Sequence, residues 1–378
     1  MKYMSEKHWA SVWGNAVSIG ENRPESYGKN ITLRYNIYVP FGGEAVRVTF
    51  DNYCGTEPIT ISRSSFYNGE EFVTLTYGGL ENVTVAAGES VVSDEVKMAV
   101  SAGNNSFVSF YLGEFTQMRS AVYTCGPLTK GLYAVGDYTY EKEIPITVSR
   151  GINIFYFLSN VSVYTNIENR TIVCYGDSIT AQDWPDYLNL RLKEEGYTHT
   201  AVIRRATSGS RILREYDCLT YASYGLMGAK RFAHEVPTDG ADTVLIQQGI
   251  NDIIHPVGVE VNPFRPMSDL PTAQELIEGL KRYIEQAREF EYKVYVGTLL
   301  PIKGWRTYAP FRDELKDAYN DFIRTTNLID GVVDFDKAVR DPLDRAAFLE
   351  KYDSGDHLHP SALGYKRMAE EVPQELFR

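Results

Sequence analysis

The stretch that decides the fold is TIVCYGDSITAQDWPDYLNLRL, residues 171–192. It begins with a short run of strand-forming residues, Ile172–Tyr175, and Gly176 and Ser178 follow in the turn after this run. A helix is predicted next. Asp183 is its cap, Pro185 lies in its first turn, Leu188 and Leu192 form its buried side, and Gly196 ends it. A serine between a strand and a helix lies at the carboxyl edge of a parallel sheet, where open α/β folds have their sites. It could equally belong to an ordinary turn, and this stretch alone leaves both interpretations open.

The size and charge of the chain narrow the classes of protein to which it can belong. Its 378 residues are enough for two domains with hydrophobic cores. With 38 basic and 50 acidic residues the net charge is −12, which argues against a nucleic acid or an anionic membrane as partner. No apolar run approaches the roughly 20 residues of a membrane span. The opening residues, MKYMSEKHWASVW, contain no apolar signal segment, so we expect a cytoplasmic protein.

The cysteines do not have the spacing of a metal site or a redox pair. None of the four belongs to a Cys-x-x-Cys motif. We therefore expect free thiols, with Cys174 buried in a strand, and no bound metal ion. The four positions are Cys54, Cys125, Cys174 and Cys218.

Residues 1–165 are expected to form an all-β sandwich domain of jelly-roll type. Short segments in which apolar and polar residues alternate are separated by turn signals such as Gly42-Gly43 and Gly78-Gly79. The segment Asn160–Arg170 is expected to lead into the next domain. The strand-like segments are Ile31–Val39, Val46–Phe50, Phe72–Tyr77, Asn82–Val85, Phe107–Leu112 and Ile152–Phe157.

Residues 166–378 are expected to form an α/β domain of the flavodoxin-like three-layer type, because strand-like and helical patterns alternate there. Thr272 and Glu275 form a capping-box pattern before a helix, a second helix includes Tyr319, and a last one follows Pro360. The strand candidates are Ile172–Tyr175, Thr200–Ile203, Thr243–Gln247, Lys293–Leu299 and Val332–Phe335.

Four short segments of this second domain contain residues suited to chemistry. Ser178 follows the first predicted strand, Gly209 the second and Asn251 the third, while Asp356 and His359 lie just before the last helix. Because the carboxyl ends of parallel strands share one edge of the sheet, these segments are expected to meet there. A serine hydroxyl, a histidine base, a carboxylate and several N–H donors are the groups that acyl transfer requires.

The same four segments resemble a known family. GDSIT, the turn at Gly209, GIND at 249–252 and DHLHP at 356–360 are similar in order and placement to the four sequence blocks of the SGNH (GDSL) hydrolase superfamily. The likeness is closer to two-domain GDSL-type esterases with a β-rich N-terminal domain, and it covers nearly the whole chain. It includes Trp9–Trp13, Asn52–Pro58, Val91–Asp94, Phe155–Ser159, Gly331–Phe335 and Tyr352–Asp356.

The resemblance implies a role for each residue of the set. Ser178 would be the nucleophile, His359 the base and Asp356 the carboxylate that orients the base. The oxyanion hole would consist of the backbone N–H groups of Ser178 and Gly209 and the side chain of Asn251. No cofactor is implied.

The carboxylate and the second histidine of this loop allow alternatives. Asp353 competes with Asp356 for the orienting role, and the three-residue offset that the resemblance implies favours Asp356. His357 and His359 could ligate a metal ion, but no carboxylate or cysteine cluster completes a site, and we expect His357 to be structural.

Other aromatic residues also have two interpretations. His255 and Trp305 either line the pocket or are structural. Trp9 and Trp13 are expected to be core residues rather than a platform for sugars.

The expected activity is that of a serine esterase. The resemblance implies hydrolysis of short acyl esters, acetyl esters of carbohydrates above all, so the partner would be a small-molecule or oligosaccharide ester. The connection between Ser178 and Trp184 is shorter than in many relatives, which weakens any inference about substrate. An acyltransferase with the same site and a carbohydrate-binding protein with an inactive hydrolase domain are the alternatives, and homo-oligomerisation stays open.

Overall fold

The computed structural model describes residues 6–20 and 26–377. The chain forms two compact units. The first comprises the chain up to residue 171 together with 196–204 and 238–241, and the second comprises 172–195, 205–237 and the chain from 242 onward.

The strands before residue 167 pair only in the antiparallel sense where their register is defined. They are β1 (Lys7–Gly14), β2 (Ser18–Ile19), β3 (Tyr27–Gly28), β4 (Ile31–Ile37), β5 (Gly43–Asp51), β6 (Ile59–Ile61), β7 (Arg63–Tyr67), β8 (Phe72–Thr74), β9 (Val83–Val85), β10 (Ser90–Val92), β11 (Val96–Val100), β12 (Ser106–Leu112), β13 (Thr116–Gln117), β14 (Ser120–Tyr123), β15 (Gly131–Val135), β16 (Ser149–Ile152), β17 (Ile154–Tyr156) and β18 (Leu158–Asn166).

Two sheets of this unit enclose its hydrophobic core. One has the order β1-β18-β5-β10, with β11 also paired to β5, and the other has the order β16-β15-β4-β12-β7-β8. Phe50 of β5 meets Phe110 of β12 edge-on, with ring centroids 4.9 Å apart, and Phe110 also contacts Tyr35 of β4. All three side chains are fully buried. The expected sandwich is therefore confirmed, and its inward faces are the apolar positions of the alternating pattern.

A five-stranded parallel sheet follows in the chain. Its order, β20-β19-β21-β22-β23, places the second strand along the chain at one edge and the first beside it, as in flavodoxin-like folds. The strand order reverses its direction between β19 and β21. A crevice for a ligand is expected at the carboxyl ends of these two strands. The strands are β19 (Arg170–Gly176), β20 (Thr200–Ala206), β21 (Ala241–Gln247), β22 (Lys293–Gly297) and β23 (Gly331–Val333).

The helices connect these strands. They are α1 (Ser178–Ala181), α2 (Trp184–Glu195), α3 (Gly228–Glu235), α4 (Ile250–Ile254), α5 (Ala273–Glu289), α6 (Pro310–Thr325), α7 (Phe335–Val339) and α8 (Ala362–Glu371), and short 3₁₀ helices cover Leu219–Tyr224, Met267–Asp269, Glu350–Tyr352 and Gln374–Leu376.

Local signals in the sequence define several helix ends. The capping box before α5 is present, since the Thr272 hydroxyl accepts a hydrogen bond from the Glu275 backbone and the Glu275 carboxylate accepts one from the Thr272 backbone. Gly196, with φ of 81°, follows α2. Leu188 and Leu192 are buried on the inner side of α2. Each of these agrees with the sequence pattern.

Other element boundaries differ from the prediction. Phe335 was expected in a strand, but β23 ends at Val333, and the Asp334 side chain accepts a hydrogen bond from the Lys337 backbone (3.2 Å) and so starts a helix. The segment Ile152–Phe157 contains parts of two strands, because β16 ends at Ile152 and β17 begins at Ile154. β18 extends through Asn166, within the segment expected to lead from one domain to the next.

No helix in the described part of the chain is both long and apolar enough to cross a membrane. Cys174 is buried in β19, as expected, and none of the four cysteines, all of them described, forms a disulfide.

Candidate active site

Ser178 lies in a tight turn at the end of β19 and is the first residue of α1. The turn depends on Gly176. A Cβ atom at that position would come within 2.4 Å of the Gln247 carbonyl oxygen and 2.5 Å of the Thr180 hydroxyl, closer than such atoms approach in proteins. A glycine therefore allows β19 and β21 to converge behind the serine. The Ser178 side chain is held at the carboxyl edge of the sheet, with 8% of the residue exposed.

His359 links Ser178 to Asp356 through hydrogen bonds on both ring nitrogens. Its Nε2 lies 2.9 Å from Ser178 Oγ, and its Nδ1 lies 2.7 Å from Asp356 Oδ2. An ionised carboxylate can only accept, so the network assigns the proton to Nδ1 and leaves Nε2 as the acceptor for the serine hydroxyl. The ring is thus in the tautomer that can take a proton from Ser178.

Asp356 is itself held in place by the loop that contains it. Its Oδ1 accepts hydrogen bonds from the backbone N–H groups of Leu358 (2.9 Å) and His359 (2.8 Å) and from the Ser354 hydroxyl (3.0 Å). Burial alone would raise the pKa of the Asp356 carboxyl, but the bonds from the His359 ring and from the two backbone groups hold that pKa well below its usual range. The carboxylate is therefore ionised near neutral pH.

Asp353 forms a second carboxylate–histidine pair in the same loop. Its Oδ2 lies 2.5 Å from His357 Nδ1, and its Oδ1 accepts from the backbone N–H groups of Gly355 (2.8 Å) and His357 (3.0 Å). His357 has φ of 64°, and its ring packs on Gly304, where a Cβ would come within 2.6 Å of it. Each aspartate thus bonds to a different histidine, and Asp356 is the one bonded to His359.

The two histidines of this loop do not converge on a shared cluster of ligands. Across residues 6–20 and 26–377 there is no group of three or more His, Cys, Asp or Glu side chains that could hold a metal ion.

The expected oxyanion donors come from the ends of three neighbouring strands. Gly209 follows β20 in a left-handed conformation with φ of 77°, and Asn251 lies in the first turn of α4 after β21. Asn251 Nδ2 donates a hydrogen bond to the Ser210 carbonyl (3.1 Å), which ties α4 to the Gly209 turn. An amide nitrogen carries two hydrogens, and the bond to Ser210 uses one of them.

Two buried carboxyl groups lie behind these residues, and the sequence analysis did not single them out. Asp252 Oδ2 and Oδ1 accept from the backbone N–H groups of Ile212 (2.8 Å) and Leu213 (3.0 Å), and burial raises the pKa of Asp252 to about 6. Asp177 caps α1 by accepting from the Ile179 N–H (3.1 Å). Its Oδ2 has no hydrogen-bond partner in the described structure, and burial raises the pKa of Asp177 to about 7. Asp177 lies in the GDSIT segment and Asp252 in the GIND segment, but only the fold shows that both are buried.

The aromatic residues left open by the sequence have different surroundings. His255, the first residue after α4, is 6% exposed, and its ring stacks on Tyr224 with centroids 5.0 Å apart. Trp305 is half-buried in the loop after β22, and the Arg306 guanidinium lies 4.6 Å from its ring centroid. Trp13 packs against the core of the first unit. The Arg47 guanidinium lies over the Trp9 ring, and the Tyr164 ring is tilted by 53° to it.

Replacing Asp177 with asparagine is expected to change the pH dependence of stability. The pKa is 3.8 in the unfolded chain and about 7 in the folded one, so the folded protein loses stability as pH rises between these two values, where the unfolded carboxyl ionises and the buried carboxyl stays neutral. The amide does not ionise, so Asp177→Asn should gain roughly 2 kcal/mol of unfolding free energy relative to wild type between pH 5 and pH 8. Urea titrations at both pH values measure this difference. Asp217→Asn, at an exposed position, is the control. A gain for Asp177→Asn that is the same at both pH values would contradict the assignment.

Comparison with known proteins gives one family match. The GDSL-like Lipase/Acylhydrolase family model matches residues 174–367, slightly more than half of the chain. This range contains Ser178, Gly209, Asn251, Asp356 and His359. No curated protein matches the sequence.

Solved structures match about half of the chain at low identity. They include a GDSL-like lipase from Bacteroides thetaiotaomicron (21% identity, TM-score 0.36) and a catalytic mutant of an acetylxylan esterase from Geobacillus stearothermophilus (17% identity, TM-score 0.41). Each alignment covers 55% of this chain, and the alignments cover 87% and 94% of the two other chains respectively.

Proposed function

The chain belongs to the GDSL-like lipase/acylhydrolase family, and from this premise we propose that it hydrolyses short acyl esters, acetyl esters of carbohydrates above all, through a covalent intermediate on Ser178. The observation that carries the proposal is the continuous hydrogen-bond chain from Ser178 Oγ through the His359 ring to the Asp356 carboxylate. This arrangement activates a hydroxyl that is otherwise a weak nucleophile.

In the first half of the reaction, Ser178 Oγ attacks the carbonyl carbon of the ester while His359 Nε2 takes the hydroxyl proton. The imidazolium that forms is stabilised by the Asp356 carboxylate, 2.7 Å from Nδ1. When the tetrahedral intermediate collapses, the bond to the alcohol oxygen breaks, and the alcohol leaves with the proton from Nε2. An acyl group is then bound to Ser178.

The charge on the carbonyl oxygen is stabilised by the backbone N–H groups of Ser178 and Gly209 and by the second hydrogen of the Asn251 amide. Such donors are effective because they are already oriented before charge develops. Three hydrogen bonds fix the orientation here: Asn251 donates to the Ser210 carbonyl, and the backbone N–H groups of Ile212 and Leu213 donate to Asp252.

In the second half, water replaces the alcohol. His359 Nε2 takes a proton from the water as its oxygen attacks the acyl carbon, and returns the proton to Ser178 Oγ as the carboxylic acid leaves.

The preference for short acyl groups rests on the connection after the nucleophile. Only Gln182 and Asp183 separate α1 from α2. Trp184, the first residue of α2, is fully buried, with its ring 5.3 Å from that of Phe335. A short, packed connection leaves no loop on this side of Ser178 that could open to a long chain.

The preference for carbohydrate rests on aromatic side chains beside the Gly209 turn. Tyr221 is only part buried, and the exposed Phe264 meets its ring edge-on, with centroids 6.4 Å apart. Amphipathic aromatic rings that are partly open to solvent suit ligands with both apolar and hydroxyl-bearing faces, as sugars have.

The test is hydrolysis of a p-nitrophenyl ester series from acetate to palmitate, together with acetate release from acetylated xylo-oligosaccharides. We expect the highest kcat/KM with acetate and measurable release of acetate from the oligosaccharides. Ser178→Ala should lower kcat by at least about 10³-fold in a folded protein, because the nucleophile is lost.

A preference for palmitate would overturn the short-chain assignment, and wild-type rates in Ser178→Ala would overturn the mechanism. Faster transfer to an added alcohol than to water would identify an acyltransferase instead.

The two aspartates of the histidine loop provide a matched pair of variants. Asp356→Asn removes the charge that holds His359 Nδ1, and we expect kcat to fall by up to ~10⁴-fold, the size of the effect in a serine protease. Asp353→Asn makes the same chemical change beside His357, and its kcat should stay within about tenfold of wild type. Steady-state kinetics of both variants, with folding checked by circular dichroism, make the comparison. A larger loss for Asp353→Asn would reassign the orienting carboxylate.

A further inference from the structure

The ring of Tyr224 lies directly against Gly209. A Cβ atom at Gly209 would come within 2.1 Å of one ring carbon of Tyr224 and within 2.6 Å of two others. Tyr224 ends the 3₁₀ helix Leu219–Tyr224, fifteen residues further along the chain. The backbone of Gly209 therefore has an aromatic ring as its immediate neighbour, in a conformation with φ of 77°.

The same ring connects Gly209 to the helix that bears Asn251. The imidazole of His255 stacks on Tyr224 with ring centroids 5.0 Å apart and 23° between the planes. His255 directly follows α4, and its backbone N–H donates to the Asn251 carbonyl (3.2 Å). The contacts thus run from Gly209 through two stacked rings to the residue at the other side of the proposed oxyanion hole.

We propose that the Tyr224–His255 stack positions Gly209 and Asn251 relative to each other, and so sets the geometry of the oxyanion hole. This inference rests on the proposed function of the site. Neither ring has to touch the substrate for this effect, so Tyr224 and His255 are positioning residues rather than catalytic ones.

The charges around the stack favour a neutral imidazole. Burial lowers the pKa of His255 well below its ordinary value, and the guanidinium groups of Arg265, Arg211 and Arg306 lower it further. The Tyr224 hydroxyl accepts a hydrogen bond from Arg265 (3.4 Å), which is itself 7% exposed. A neutral His255 ring, buried and stacked on the part-buried Tyr224 ring, keeps one packing arrangement, which a positioning role requires.

The stack is tested by removing the Tyr224 ring and by keeping it. Tyr224→Ala should lower kcat for p-nitrophenyl acetate by about 10- to 100-fold, with KM changed less than about threefold, because a donor misplaced by a fraction of an ångström loses transition-state stabilisation. Tyr224→Phe keeps the ring and should restore kcat to within about threefold of wild type. If Tyr224→Ala does not fold, Tyr224→Leu replaces it, since leucine fills space without an aromatic face.

A double-mutant cycle separates positioning from general damage. In an Asn251→Ala background, which itself should lose about 10²–10³-fold in kcat, the further effect of Tyr224→Ala should shrink to less than threefold. Equal losses from Tyr224→Ala in both backgrounds would overturn the inference, and so would wild-type kcat in Tyr224→Ala.

Backbone hydrogen exchange gives a readout that does not need activity. Peptides that contain Gly209 and Asn251 should exchange faster in Tyr224→Ala than in Tyr224→Phe. If wild-type protein hydrolyses no ester, the proposed function fails, and exchange still decides the inference: faster exchange in Tyr224→Ala supports it, and equal exchange in the two variants overturns it.

Discussion

The hydrogen bond between His359 and Ser178 is the interaction on which the site depends, because it joins two residues 181 positions apart in the chain. It requires the turn after β19, where Gly176 allows close approach to β21. It also requires the loop before α8, where Asp356 bonds to both the ring and the backbone of His359. A short bond between such distant residues is formed only when the parallel sheet and the last loop are both in place.

The second constraint is electrostatic. Two carboxyl groups, those of Asp177 and Asp252, are buried behind the nucleophile, and burial raises the pKa of both. Asp252 accepts two backbone hydrogen bonds, which offset part of the free-energy penalty of burying its carboxyl group and hold the loop after Gly209. Asp356 differs from both, because its hydrogen bonds outweigh burial and keep it ionised. The pKa values of these three aspartates thus differ, because burial dominates at Asp177 and Asp252 and hydrogen bonds dominate at Asp356.

Much of this architecture was predictable from local patterns in the sequence. The strand, turn and helix of residues 171–192 and the capping box at Thr272 depend on neighbours in the chain, and both are present. The flavodoxin-like α/β fold followed from the alternation of strand-like and helical patterns, whereas the strand order comes from the structure. The structure places His359 within hydrogen-bond distance of both Ser178 and Asp356. The catalytic roles of these residues stay predictions.

What the sequence did not reveal depends on contacts between distant segments. The burial of Asp177 arises from packing around the turn after β19. The contacts of Tyr224 with Gly209 and His255 join three separate segments of the chain. The left-handed backbone at His357 occurs at a residue without glycine's freedom, where composition gives no signal. Such features follow from the tertiary fold, and no local periodicity indicates them.

The central claim is that Ser178 is a nucleophile activated by His359. Its most direct measurement is peptide mass spectrometry after reaction with a fluorophosphonate, which bonds covalently to an activated serine oxygen. We expect one adduct per chain, located on Ser178, and its rate of formation should fall sharply in His359→Ala. An adduct on another residue, or labelling that is unchanged in His359→Ala, would contradict the account.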